Sequence, residues 1–353
     1  MLRTWRQRIT FSDIVVWAIG LAIAIMVIYG TIATLRLGKY SPVTWLDLVI
    51  TGLALGGIYA LIALGYTLVY GILRMINFAH SEIFMVGPFT AAFLADALVK
   101  MGIWNQYPFL SLVLILVLAA AVSATIAFLL ERIAYRPLRT APRLVPLITA
   151  IGASFFLQYA FRGLYGSGLK GFPTLNVFEG RWTMGSIEVM KARVVVIIGA
   201  LAMMLILYGI VQYTKFGKAM RSISEDKETA ALMGIDVDRT ISITFIMGGA
   251  SAGVAGILYV ILFPVAHFFM GFIPGIKAFT AAVLGGIGNV PGAFLGGLIL
   301  GVLESVGPSL FLDGMGIPAP YQLKDAIAFI ILVFILIFRP SGILGERMSQ
   351  AKA

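Results

Sequence analysis

The first segment whose side chains could do chemistry is Arg74-Met75-Ile76-Asn77-Phe78-Ala79-His80-Ser81-Glu82, a polar interruption between two apolar runs. Asn77, His80, Ser81 and Glu82 put donors, acceptors and ionisable groups on one short stretch. At membrane depth an ionisable side chain costs roughly 2.5–3.5 kcal/mol even on the mildest scales, so it persists mainly where it faces a cavity or a partner. A helix starting near Ser81 would turn its free N–H groups, a partly positive end, toward a carboxylate. The plainer alternative is a short turn in which Ser81 and Glu82 cap the next helix. Composition does not separate the two.

A second segment, Gly285-Gly286-Ile287-Gly288-Asn289-Val290-Pro291-Gly292, breaks an apolar run with glycines and a proline. Irregular backbone of this kind is tolerated inside a membrane only where it lines protein or water. Asn289, and Thr280 just upstream, are therefore candidate pathway residues; a tight loop between two ordinary helices is the alternative. A third segment runs from Lys215 to Arg239. Glu225, Asp226, Lys227 and Glu228 follow Lys218 and Arg221, and an apolar face then ends at Gly234, beside Ile235 and Asp236. A short helix stopping at Gly234 fits that pattern. Such a helix suits docking to a soluble partner, and a solvated loop fits the charges as well.

Several chemistries are excluded. No G-x-x-x-x-G-K-[ST] loop occurs, so energy from ATP must come from another polypeptide. There is no H-E-x-x-H and no G-x-S-x-G. With no cysteine and only His80 and His267, a disulfide framework, a thiol nucleophile and a Cys- or His-rich metal centre are all out of reach.

The elements that must position these segments are membrane spans. Of 353 residues, 60% are hydrophobic and 12% charged, against roughly 45–50% and 25% in soluble domains. A crossing needs about 20 apolar residues. The uncharged runs are 14–35, 48–73, 83–95, 108–130, 144–161, 194–214, 240–266, 278–303 and 326–338, the last reaching span length only with Lys324 and Asp325. Arg3, Arg6 and Arg8 precede the first run as in a signal peptide, but the run is longer than the roughly 7–15 residues of such a segment. It reads as a retained first span.

The net charge of +10 sits between spans and is topological, which removes the reason to invoke nucleic acid. Cytoplasmic placement of the basic segments 131–143 and 215–239 fits a cytoplasmic N-terminus. It leaves the chain outside near His267. Keeping the basic tail inside then requires a change of parity, which two half-helices re-entering from outside over 278–303 would supply. The expected fold is an all-α polytopic bundle of about eight full spans plus re-entrant half-helices, with about 16 basic residues inside and 10 outside.

Phe89-Thr90-Ala91-Ala92-Phe93-Leu94 recurs as Phe279-Thr280-Ala281-Ala282-Val283-Leu284, an offset of 190 residues, and His80 with Met85 is loosely echoed by His267 and Met270. The two copies run in opposite directions across the bilayer, the arrangement of inverted-repeat transporters. Glycine pairs four apart, Gly52/Gly56, Gly249/Gly253, Gly292/Gly296 and Gly297/Gly301, argue for close helix packing.

Together these segments resemble the membrane permeases of branched-chain amino-acid ABC importers, the Liv system, in their H-type subunit. The matching residues are the run from Gly56-Gly57-Ile58-Tyr59 to Val69-Tyr70-Gly71; Ile76-Asn77-Phe78-Ala79-His80-x-Glu82; Glu131-Arg132-Ile133-Ala134-Tyr135-Arg136-Pro137-Leu138-Arg139; Glu225-Asp226 with Met233-Gly234-Ile235; Lys277 to Gly288 with Pro291-Gly292-Ala293; and Pro340-Ser341-Gly342-Ile343-Leu344-Gly345. The likeness covers about residues 45–346. Residues 1–44 then form an extension with an extra span, and 347–353 a cytoplasmic tail. Where the family has glycine this chain has Ser81.

The resemblance implies a permease in the bacterial cytoplasmic membrane, paired with an M-type permease, two ATPase subunits inside and a binding protein outside. ATP and magnesium would be used by the ATPases, with no cofactor in this chain. By the same likeness, residues 215–239, with Arg221, Glu225, Asp226, Gly234 and Ile235, form the coupling element, and Asn77, His80 and Glu82 belong to the pathway or its gate. A urea or short-chain amide permease, an ion-coupled secondary transporter using His80 and Glu82 as a proton relay, and a passive channel are the alternatives.

Overall fold

The computed structural model describes residues 11–139, 141–142, 144–184, 187–339 and 341–345. The tail 347–353 and the first ten residues of the extension lie outside them. In lipid every backbone N–H and C=O must find an internal partner, which leaves helices as the economical solution for apolar runs of this length. The order is α1 (Phe11–Leu37), α2 (Pro42–Leu73), α3 (His80–Lys100), α4 (Ile103–Gln106), α5 (Pro108–Leu130), α6 (Leu144–Tyr165), α7 (Lys191–Tyr213), α8 (Lys215–Glu225), α9 (Lys227–Leu232), α10 (Val237–Leu262), α11 (Phe272–Gly285), α12 (Val290–Gly307) and α13 (Lys324–Phe338).

Helix starts follow the local chemistry. Ser41 accepts the Thr44 N–H ahead of Pro42, and Asp236 accepts the Arg239 N–H at the start of α10. α5 continues past Leu130 through a π-helical turn over Glu131–Tyr135 and a 3-10 turn over Arg136–Leu138. Among the described residues short strands lie only in the connectors: β1 (Lys170–Gly171) pairs with β4 (Val265–Ala266), and β2 (Arg181–Met184) with β3 (Ile187–Met190), both antiparallel.

Among the described residues nine helical segments are long and apolar enough to cross a membrane, and α11 is a shorter apolar helix. This differs from eight full spans plus a hairpin of half-helices over 278–303. α12 runs on through further turns to Met315, long enough to cross. The glycine turn between α11 and α12 lies at a rim, because the chain beyond α13 folds under it: Ile343 N–H donates to Leu284 O, and Leu344 N–H to Gly285 O. The parity change comes from the connector 263–271. It leaves the end of α10, pairs with β1, and descends until Gly271 lies against Ser81.

The core is α2, α3, α10, α11 and α12. Small residues let the backbones close up: Gly52 and Gly56 of α2 face Gly301 and Gly297 of α12, and Gly249 and Gly253 of α10 face Ala119, Ser123 and Ala127 of α5. α1 stands at the periphery. Gly30 meets Phe311, Lys39 pairs with Asp313 at 2.9 Å, and Trp17 packs edge-on to Phe338. One rim carries α8, α9, the turns after α5 and the end of α2, with Arg74, Arg132, Arg136, Lys218 and Arg239; the positive-inside rule makes it the cytoplasmic one.

The halves are related as the repeat predicts. Ser251 Oγ donates to Leu61 O at 3.0 Å, a bond between residues 190 apart. Ser81 and Gly271, also 190 apart, touch, and the contact of Ser81 with Gly275 is mirrored by that of Met85 with Gly271. Residues that meet their own counterparts mark a pseudo-two-fold axis. This register pairs His80 with Met270, not with His267. Thr90 and Thr280 even share a local habit, each hydroxyl donating to the carbonyl four residues back, Val86 and Ile276.

Candidate transport site and coupling surface

α2 ends at Arg74, which takes the left-handed conformation (φ 52°) while its N–H donates to Tyr70 O. That reversal sends 74–79 back into the bundle instead of out to solvent. His80 consequently lies against Gly65, eight residues before the end of α2, or about 12 Å along its axis. A Cβ on Gly65 would come within 1.9 Å of His80 Nε2, so the ring occupies the space that glycine leaves. The Tyr66 ring meets the imidazole edge-on at 5.0 Å between centroids.

The capping alternative for Ser81 and Glu82 is not what forms. α3 begins at His80, its N-cap is Ala79 without a side-chain bond, and Ser81 Oγ donates to Phe78 O at 2.9 Å. Glu82 is fully buried. Its Oε1 accepts from Gln158 Nε2 at 2.7 Å and from Ser154 Oγ at 3.2 Å, and lies 3.3 Å from Ser81 Oγ. Its Oε2 has no hydrogen-bond partner, and no Lys, Arg or His lies within ion-pair distance, among the described residues. Asn77 Oδ1 accepts the Tyr135 hydroxyl at 2.6 Å, while its Nδ2 is unpartnered.

Two candidates separate from this group. Thr280 is buried with its hydroxyl satisfied inside α11. Asn289 caps α12 at the cytoplasmic rim, accepting the Gly292 N–H and donating to Leu344 O, each at 2.9 Å. Its polarity serves the turn. Asn77, His80, Ser81 and Glu82 do come together, at the axis where the starts of α3 and α11 meet.

The 215–239 segment is two short helices. Asp226 accepts the N–H groups of Glu228 and Thr229 and the Thr229 hydroxyl, which together hold its carboxyl below the usual range. Arg221 faces inward, its guanidinium donating to Val211 O and Gln212 O at the end of α7. Gly234 (φ 86°) ends the unit, and Ile235 tucks back with its N–H on Ala230 O. Glu225 is exposed, and Leu232 and Met233 project with 88% and 79% of their surface free. Arg74 ties this rim to the site, donating to Ser224 O at 3.0 Å.

Two buried ionic groups escaped the sequence reading. Glu131 accepts Ser242 Oγ at 2.7 Å and pairs with Arg139, which with Arg136 also holds Asp238, so the basic segment after α5 is riveted to α10. Lys277, Glu304 and Asp325 form the other. Among the described residues no group of His, Asp or Glu is placed to hold a metal ion.

Residues 48–336 match the family described as branched-chain amino acid transport system / permease component. The chain belongs to this family. It is 42% identical over 307 residues to the high-affinity branched-chain amino acid transport system permease protein BraD of Pseudomonas aeruginosa, covering 86% of this chain and 96% of that protein. Identity to the permease protein LivH of Salmonella typhimurium is 42% over 312 residues, and to LivH of Escherichia coli 41% over 307, with the same coverage. No solved structure matches the chain. As a permease component it is a multi-pass membrane protein whose relatives are transport subunits and not enzymes. The family match leaves α1 outside its bounds.

Proposed function

We propose that this chain is the H-type membrane subunit of an ABC importer for branched-chain amino acids in the bacterial cytoplasmic membrane. It works with an M-type permease, two ATPase subunits docked on the α8–α9 rim and an extracytoplasmic binding protein at the far rim. The ATPases use ATP and magnesium; this chain needs no cofactor. The observation that carries the reading is the meeting of the starts of two oppositely directed helices, α3 and α11, at Ser81 and Gly271, beside Glu82, in the middle of the bundle. ATP-driven movement of α8 and α9 rocks the two halves about that contact, opening it first to the far rim and then to the cytoplasm. Exposed Leu232 and Met233 suit an apolar partner surface, and the Arg74 bond to Ser224 carries motion of that rim into 74–79.

One observation favours a second reading. A buried Glu82 with no cation beside it among the described residues is what a proton relay requires. Vesicles carrying the chain alone, or with the ATPases and binding protein, separate the two. The expected result is ATP-dependent uptake of leucine, isoleucine or valine only in the complete system. Uptake by the chain alone under a proton or sodium gradient would overturn the proposal. Urea uptake in place of amino acids would keep the ATP-driven machine and change its cargo.

A further inference from the structure

Away from Glu82, the spanning helices gather ionisable groups around a cavity of about 150 Å³. Lys277 Nζ of α11 lies 2.6 Å from Glu304 Oε1 of α12, 2.6 Å from Asp325 Oδ1 of α13 and 3.5 Å from the Tyr59 hydroxyl of α2. Tyr59 also donates to Glu304 Oε1, at 3.3 Å. The other oxygen, Glu304 Oε2, is buried without a hydrogen-bond partner among the described residues, although Glu304 lines the cavity. Leu55, Phe263 and Ile273 give the cavity apolar walls, and Lys324 stands at its edge. Asp325 is 41% exposed, so the cavity is reached from the side where α10 ends and α13 begins, the rim opposite α8 and α9.

A purely structural role explains this poorly. A buried ion pair contributes little net stability over apolar residues of the same size, and an unsatisfied carboxylate oxygen adds a desolvation cost. The charges do suit a ligand. Two ammonium groups, Lys277 and Lys324, balance two carboxylates, Glu304 and Asp325, so a molecule entering without upsetting that balance must itself be neutral overall. A zwitterion meets the condition and supplies a partner to each sign. A cavity of about 150 Å³ accepts a molecule the size of benzene, so the space here takes the ammonium, carboxylate and first carbons of an amino acid, with the rest of its side chain toward the open side.

We infer that the pocket between Lys277, Glu304 and Tyr59 receives a small aliphatic amino acid as it enters from the far rim. The ligand enters by exchange: its carboxylate takes Lys277 and the Tyr59 hydroxyl from Glu304, its ammonium takes the Glu304 carboxylate that they release, and its side chain lies on Leu55 and Ile273. The inference rests on the reading of the chain as an amino-acid permease and adds the groups that recognise the zwitterion.

The test is uptake of radiolabelled leucine by the complete transport system carrying Lys277→Met/Glu304→Met, which removes both charges and leaves the apolar packing. The expected result is a loss of at least tenfold in uptake, with the ATPase subunits still co-purifying. Tyr59→Phe is expected to raise the apparent KM several-fold while leaving the maximal rate close to wild type. Uptake by the double variant within twofold of wild type would mean that the pair is a packing element and would overturn the site while leaving the permease reading intact. If the double variant does not assemble, Glu304→Gln decides: unchanged uptake overturns the site, and a tenfold loss in an assembled complex supports it. No amino-acid uptake by the wild-type system would instead remove the permease reading, and this inference with it.

Discussion

Glu82 and Glu304 are both buried carboxylates inside the bundle, held by opposite chemistry. Glu82 is met by neutral polar groups of α3 and α6, namely the donors Ser154 and Gln158 and the hydroxyl oxygen of Ser81. Glu304 is met by the ammonium of Lys277 and the hydroxyl of Tyr59. The first group can lose its charge without stranding another; the second cannot, because its partner would be left buried and unpaired. Both keep one oxygen without a hydrogen-bond partner among the described residues. The difference teaches that one site tolerates a change of charge state in place, whereas the other is built to exchange one pair of charges for another.

The largest effect expected from breaking this comparison is on folding. Lys277→Met leaves Glu304 without its ammonium and should cost about 3–5 kcal/mol, read as loss of the chain from the membrane fraction and a lowered Tm. Adding Glu304→Met should restore most of it. Equal stability of the single and double variants would deny the asymmetry. Next comes the contact between the starts of α3 and α11. A Cβ at position 275 would stand 2.2 Å from Ser81 Cβ, so Gly275→Ala should cost about 1–3 kcal/mol as overpacking, relieved by Ser81→Gly. No effect in thermal unfolding would mean that α3 and α11 do not pack this closely.

Glu82→Gln should change stability by less than Lys277→Met, yet lower ATP-driven uptake with the ATPases still bound; normal uptake would return Glu82 to a packing role. The smallest effect lies at the coupling rim. Asp226→Ala removes the α9 cap, and amide exchange at Glu228 and Thr229 should quicken. The Thr229 hydroxyl and the two amides hold the Asp226 carboxyl low, so the cap is intact at neutral pH and lost only as pH falls through that lowered value. Quickened exchange already near neutrality would contradict it.

Much of this was legible in the residues. The break at 74–82 is polar and stands out from its flanks, and the charges of 215–239 mark a segment that stays out of lipid. The mirror connector, 263–271, was not legible, because Phe263-Pro264-Val265-Ala266-His267-Phe268-Phe269-Met270 is apolar and merges with α10. Lys277 and Glu304 read as the ends of a span, since a charge ends an apolar run on paper; in the fold they neutralise each other at depth. The glycines of 285–292 suggested a re-entrant hairpin, and only the chain at 341–345, distant in sequence, satisfies that turn at the rim. Asn289 and Thr280 were drawn toward the pathway by residue type, and their hydrogen bonds are local.

The absence of cysteine allows one direct measurement of the central claim, that the point where α3 and α11 begin is exposed to each side in turn. A Ser81→Cys variant in the complete transport system would be probed with a membrane-impermeant thiol reagent applied from one side at a time, before and after the ATPases are trapped with ATP. The account predicts that the thiol reacts from one side in one state and from the opposite side in the other. Protection from both sides in every state, or reaction from the same side throughout, would contradict it.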